Sequence, residues 1–270
     1  MFRQVSPVNQ NPPTPPAEFR TLVHGGPISE EDHIKIGKAI FEMVKQGCSL
    51  TPSSTVLDIG CGCGRIAVPM ACYLTSGVYH GVDIVKPMVD WCASQITSRH
   101  PNFHFHHADL TNTLYSATGQ SNFHFDHADL TNTLDSATGQ SAASYVFPFP
   151  DKTFDVIFAT SVFTHLVKDS AQQYLNEIAR MLKPRTGLAL LSFFLLSKNR
   201  PHRTRNGMLF SCDGYSVIDK DNPEHIVVFE ESAIREMMRM AGLKVRVTYL
   251  VQPSDDPEDW SGQDTFIVFA

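Results

Sequence analysis

Short apolar runs alternate with amphipathic stretches along most of the chain. Val56, Leu57 and Ile59 make one run, Val78 to Asp83 the next, Val156 to Ala159 another, and Leu188 to Leu196 the longest. Each has the length of a buried strand. The intervening segments carry helix signals. Ser29-Glu-Glu-Asp32 opens a helix expected to reach about Gln46, with Ser29 as N-cap and Asp32 in a capping-box variant. Ile34, Ile36, Ala39, Ile40 and Met43 roughly follow one face of it. A helix from Pro87 to about Ser98 starts on a proline, whose missing N–H costs nothing in the first turn. Ser170 to Lys183 is stopped by Pro184, and Glu230 to Ala241 is closed by Gly242. Leu243 to Val251 and Thr265 to Phe269 read as a final antiparallel pair. Strands alternating with helices predict an α/β fold with a mostly parallel sheet.

The first strand leads into the most informative stretch, Thr55-Val-Leu-Asp-Ile-Gly-Cys-Gly-Cys-Gly-Arg-Ile-Ala67. Gly60, Gly62 and Gly64 stand on alternate positions before a helix start, where backbone can turn sharply and a ligand can approach closely. A dinucleotide loop would place its third glycine at position 65, which is Arg65 here. The second strand ends in Asp83, 19 residues beyond Gly64. A carboxylate at that place can accept both hydrogen bonds of a ribose diol. Asp58 precedes the loop and either orders it or touches the ligand.

With these residues the chain resembles the class I S-adenosylmethionine-dependent methyltransferases, of the type 11 small-molecule kind. The resemblance continues through Phe147-Pro-Phe-Pro-Asp-Lys-Thr-Phe-Asp155, Thr160-Ser-Val-Phe-Thr-His-Leu166 and Tyr174-Leu-Asn-Glu-Ile-Ala-Arg-Met-Leu-Lys-Pro184. It covers roughly residues 30 to 270, most densely 55–92 and 147–196. Pro184-Arg-Thr-Gly187 departs from the family's usual adjacent glycines, away from the expected cofactor. The resemblance implies a Rossmann-like seven-stranded methyltransferase sandwich, mostly parallel with an antiparallel last strand. The implied activity is methyl transfer from S-adenosyl-L-methionine to an O or N atom of a small-molecule acceptor. A non-catalytic cofactor-binding scaffold and a methyltransferase-fold enzyme of other chemistry are the alternatives. Aminopropyl transfer would call for acids after the fourth strand, and Thr160-Ser-Val-Phe163 has none.

The resemblance also assigns roles. Gly60, Cys61, Gly62 and Gly64 form the loop at the methionine part, with Asp58 beside it. Asp83 meets the ribose, Ile84 packs on the adenine, and Asp109 with Leu110 lies near the adenine amino group. Thr160 and Ser161 lie near the sulfonium or the acceptor. His165 is the candidate general base, since an imidazole titrates near neutral pH; its other reading is a packing residue in the cleft wall. A variable segment from about Lys198 to Phe229 is expected to form much of the acceptor's cover; Tyr215 and Trp260 lie in segments able to cap the pocket, with core or surface packing the expected role of each.

Composition adds limits. A formal charge of −6 disfavours general attraction to nucleic-acid phosphates, and His202, Arg203 and Arg205 read as a solvated loop. The six cysteines show no C-x-x-C spacing. Residues 1–28 read as a proline-rich N-terminal arm and 29–270 as the catalytic domain. Asn11-Pro-Pro13 superficially matches an N-P-P motif, but such a motif belongs after the fourth strand. The arm lacks the apolar core of a signal peptide and no run is long enough to span a bilayer, so the expectation is a cytoplasmic protein with no membrane or nucleic-acid partner. Phe103-His-Phe-His-His107 invites a metal reading, but no convergent ligand set with known spacing accompanies it, and no metal is expected.

Residues 102–121 recur as 122–141, differing only at His106/Asp126 and Tyr115/Asp135. Two copies are no solenoid. This tandem duplication offers two candidates for the third strand. The first copy is expected to fill it, because the connection stays short and Asp126 suits a central strand poorly.

Overall fold

The computed structural model describes residues 12–111, 140–196, 209–251 and 262–270. Its strands in chain order are β1 (Thr55–Ile59), β2 (Val78–Asp83), β3 (Phe103–His107), β4 (Leu110–Thr111), β5 (Gln140–Ser141) and β6 (Val156–Ala159). They continue with β7 (Leu188–Leu196), β8 (Phe210–Ser211), β9 (Tyr215–Val217), β10 (Val227–Glu230), β11 (Lys244–Tyr249) and β12 (Asp264–Phe269). The helices are α1 (Ala17–His24), α2 (Glu30–Gly47), α3 (Ala67–Ala71), α4 (Lys86–Cys92), α5 (Lys168–Met181) and α6 (Glu231–Met240). The α4 helix runs on into a π-helical turn over Ala93–Thr97.

The apolar runs become the inner strands because helices cover both of their faces. Val56, Phe158, Leu190 and Ile267 face Phe41 and Val44 of α2 and Met70 of α3. Their neighbours Leu57, Ile157, Leu191 and Phe266 face Leu175 and Ile178 of α5 and Ile234 and Met238 of α6. Burying each such side chain stabilises the fold by about 1.5–3 kcal/mol relative to leaving it in water. The sheet runs β3-β2-β1-β6-β7, all parallel, with β12 antiparallel to β7 and β11 antiparallel to β12. That is the expected seven-stranded order with its antiparallel end. The chain moves outward from β1 to β3 and returns to β6, so the order reverses beside β1, and α/β proteins bind ligands at the carboxyl ends of strands at such a point.

Three features differ from the sequence expectation. First, the proline-rich arm assigned to residues 1–28 gives way to a helix. Pro16 is the N-cap of α1, and Gly25 ends it in the left-handed region at φ 68°. Phe19, Leu22 and Val23 pack on Cys63, Val85 and Met88, so burial of this apolar stripe outweighs the prolines just before it. Second, nine-residue β7 is long enough for two neighbours on one side: Ala189 to Phe193 pair with β12, and Phe194 to Leu196 pair with β10. Antiparallel β8, β9 and β10 extend the sheet there, built from residues expected to cover the acceptor. Third, α5 starts at Lys168, two residues before the predicted start at Ser170. His202, Arg203, Arg205, Trp260, Asn11 and most of the second repeat copy lie outside the described residues. No helix among the described residues is long and apolar enough to cross a membrane.

The first copy of the repeat fills the third strand, with His104 paired to His80 and His106 to Val82. His106 Nε2 lies 3.0 Å from His80 Nδ1, and its ring meets Phe149 edge-on at 5.3 Å. The carboxylate of Asp126 would offer that aromatic edge far less. The surplus length then falls between β4 and β5, whose Gln140–Ser141 closes the second copy. Residues 120–121 repeat the same two residues, so deleting 122–141 shortens the excursion from 112–139 to 112–119 and restores an identical β5 sequence. The deleted protein is expected to fold, bind ligand as before and gain about 1 kcal/mol from easier loop closure. Denaturant titration checks this; a large loss of stability would show that the second copy contributes to the core.

Candidate cofactor site

The loop after β1 is held by its neighbours rather than by its own side chains. The N–H groups of Gly60 and Cys61 both donate to the Val82 carbonyl, at 2.8 and 3.1 Å, which swings the chain toward β2. Asp83 then braces it: one carboxylate oxygen accepts the Gly62 N–H at 2.7 Å and the other the Val85 N–H at 2.8 Å. Burial raises the Asp83 pKa, and the amide donors from Val85, Gly62 and Ile84 oppose that shift. Gly60, Gly62 and Gly64 all have positive φ, at 76°, 51° and 77°. At Gly60 an added Cβ would also stand 2.5 Å from Val162 Cγ2, so the loop leaves room for backbone alone.

One cleft collects nine of the twelve predicted residues: Gly60, Cys61, Gly62, Asp83, Ile84, Leu110, Thr160, Ser161 and His165. The other three lie elsewhere. Gly64 sits beneath the loop, where a Cβ would meet Ile96 and Cys92. Asp58 is buried behind it and accepts the Tyr79 phenol at 2.6 Å. Neither reading of Asp58 from sequence named that partner. Burial raises its pKa to about 7, against the pull of the phenol hydrogen bond. Asp109 is exposed, while Ala108 and Leu110 on either side line the cleft; the alternation of an extended chain turns the carboxylate outward.

The fourth-strand end is built with strain. Ser161 has φ 59°, a left-handed conformation costly for a residue with a side chain. A ring of hydrogen bonds holds it there. The Ser161 N–H donates to Ser192 Oγ at 2.9 Å, Ser192 Oγ donates to Gln263 Oε1 at 2.6 Å, and Gln263 Nε2 donates to Ser161 Oγ at 2.8 Å. Three segments far apart in sequence thus fix one cleft residue, a constraint no local pattern could have announced. His165 Nδ1 lies 3.0 Å from the Glu224 carbonyl, which can only accept, so the proton sits on Nδ1 and Nε2 is the basic nitrogen. Burial lowers the His165 pKa, keeping the ring neutral below its usual range.

Sequence reasoning missed Leu22 and Val23 of α1, Arg65, Ala142, Phe147 and Tyr174, all of which line the cleft. Apolar positions 19, 22 and 23 at helical spacing were the available signal for α1. Among the described residues of the segment expected to cover the acceptor, none lines the cleft; Glu224 reaches it only through His165. Tyr215 takes the packing role expected for it, against Phe229 with ring centroids 6.0 Å apart. His104 and His106 of β3 lie against His80, ring centroids 5.2 and 5.3 Å away, and among the described residues no three His, Cys, Asp or Glu side chains converge to hold a metal ion.

Solved structures share this architecture. The PH0226 protein of Pyrococcus horikoshii OT3 is 17% identical, matches 89% of this chain and 92% of its own, and superimposes with a TM-score of 0.57. Magnesium protoporphyrin IX methyltransferase from Synechocystis, solved with bound S-adenosylhomocysteine, is 14% identical over 88% of this chain and 84% of its own, at a TM-score of 0.53. The sequence model of the methyltransferase domain matches residues 37–247. That match takes in the glycine loop, Asp83, the fourth-strand end and both closing helices, and with it the chain belongs to the methyltransferase-domain family, as an enzyme on the class I S-adenosylmethionine-dependent methyltransferase fold.

Proposed function

We propose that the protein transfers the methyl group of S-adenosylmethionine to an oxygen or nitrogen of a small-molecule acceptor. The observation that carries this reading is the convergence of the glycine loop and Asp83 in one cleft. A Cβ at Gly60 would strike Val162, which lines the same cleft, so only glycine fits at this turn of the loop. Asp83 accepts amides through both oxygens and still lines the cleft, where a carboxylate can accept from the hydroxyls of the ribose. Ile84, Ala108 and Leu110 offer apolar surface to a flat base, and Thr160 and Ser161 line the same cleft. When bound, S-adenosylmethionine supplies an activated methyl on a sulfonium. The chain's own work is to position the acceptor, exclude water and take a proton. Neutral His165 can take that proton at Nε2.

Two measurements test this. S-adenosylhomocysteine at about 100 times its dissociation constant should stabilise the protein by roughly 2.7 kcal/mol in thermal unfolding, while NAD should not. His165→Gln should leave that stabilisation intact yet slow labelled methyl transfer to an acceptor mixture by about 100-fold or more. No stabilisation by S-adenosylhomocysteine would overturn the reading of the donor. Full transfer by the variant would leave His165 a wall residue.

A further inference from the structure

Phe147 lines the cleft but stands in neither a strand nor a helix. Its backbone is held instead by side chains of α5. The carboxylate of Glu177 accepts the Phe147 N–H through Oε2 at 2.9 Å. The same carboxylate pairs two-pronged with Arg180, whose Nε donates to Oε1 at 2.9 Å and Nη2 to Oε2 at 2.7 Å. The guanidinium also reaches the segment itself. Its Nη2 donates to the Phe147 carbonyl at 3.1 Å, and its Nη1 to the Phe149 carbonyl and to Asp151 Oδ1, both at 2.8 Å. One turn earlier in α5, Gln173 Nε2 donates to the Tyr145 carbonyl at 2.8 Å. Positions 173, 177 and 180 of the helix thus meet 145, 147 and 149 in order. The spacings nearly agree, since three to four residues of helix rise about 4.5–6 Å and two residues of extended chain span about 6.6 Å.

A buried ion pair adds little net stability, because desolvation offsets most of its attraction. What a two-pronged carboxylate–guanidinium pair supplies is fixed geometry. Here the geometry fixed is that of a wall residue. The Phe147 ring meets those of Tyr145 and Tyr174 edge-on at 5.0 and 5.2 Å, and Tyr174 lines the cleft as well. The segment also starts at the end of the cleft assigned above to the base. Leu110 of β4 pairs with Gln140 of β5, and Ala142, two residues on, lines the cleft together with Leu110 and Phe147. We infer that Gln173, Glu177 and Arg180 are positioning residues that set Phe147 against the base of the donor. Affinity for the nucleoside then depends on a carboxylate of α5 that is not itself part of the cleft lining. The inference rests on the donor reading above.

Calorimetry with S-adenosylhomocysteine and with 5′-methylthioadenosine, which keeps the base but lacks the amino-acid half, tests this. Phe147→Leu and Glu177→Ala should each weaken both ligands by about 10-fold. In a double-mutant cycle the two losses should overlap, so that Glu177→Ala added to Phe147→Leu costs less than about twofold more. A Glu177 that only supported the fold would cost as much on either background. Arg180→Lys keeps a positive charge beside Glu177 and gives up the fork; it enters the same cycle should Glu177→Ala fail to fold. Three results would overturn the inference while the donor reading stands. One is a pair of losses that multiply in the double variant. Another is a folded variant that binds both ligands within about twofold of wild type. The third is a loss confined to S-adenosylhomocysteine, which would put Phe147 away from the base. If the wild type binds neither ligand, the donor reading fails and the inference falls with it.

Discussion

Asp83→Ala should weaken S-adenosylhomocysteine by about 100-fold or more and lower the melting temperature of the ligand-free protein as well. The two effects share one cause. The carboxylate bonds the Gly62 and Val85 amides at 2.7 and 2.8 Å, and alanine would leave both N–H groups without an acceptor. Each orphaned amide costs about 1–3 kcal/mol, and each kcal/mol is worth roughly 2–4 °C in a protein of this size. The ligand would lose its ribose acceptor and a fixed loop together. Asp83→Asn separates these contributions. Its amide oxygen can keep one N–H, but its NH₂ would face the other, so its stability should lie between those of aspartate and alanine. It keeps the shape of the site while removing the charge that strengthens a hydroxyl hydrogen bond. Calorimetry on both variants checks the order. An alanine variant that binds S-adenosylhomocysteine within threefold of wild type would place the ribose somewhere other than Asp83.

The parts of this molecule legible in the sequence are those set by local pattern. β1, β6 and β7 read as apolar runs because they are covered on both faces, and the glycine spacing with Asp83 marks the cleft because strand, turn and acid succeed one another in the chain. Asp109 stands exposed between buried Ala108 and Leu110, because motif position does not fix which side chain lines a cleft. The Ser161, Ser192 and Gln263 ring joins three distant segments, so nothing short-range points to it. The N-terminal helix was hidden by its prolines, which say where a helix cannot run but not where one can begin. Arg65 was visible only as the residue that broke a dinucleotide motif. In the fold it lines the cleft between Gly62 and Ile66, a place its position in the motif did not announce.

Gly60→Val should abolish measurable S-adenosylhomocysteine binding, and the reason can be divided in two. A side chain at φ 76° costs about 1–2 kcal/mol in the left-handed region, more for a β-branched residue. Separately, its Cβ would lie 2.5 Å from Val162 Cγ2, just past the neighbouring strand β6. Relief by rotating the backbone would pull the Gly60 and Cys61 amides away from the Val82 carbonyl, which both now share. The smaller Gly60→Ala carries both penalties in milder form and should weaken binding by roughly 10-fold or more for each 1.4 kcal/mol. Adding Val162→Ala removes the atom that clashes but leaves φ as it is. The double variant should therefore recover the steric share of the loss and no more, with Val162→Ala alone as the reference for its own contact with the ligand. Full recovery would mean that the loop tolerates the backbone angle and that only Val162 sets the limit at this turn. No loss in Gly60→Ala would mean that the ligand never approaches this backbone at all, and the donor would have to lie elsewhere in the cleft.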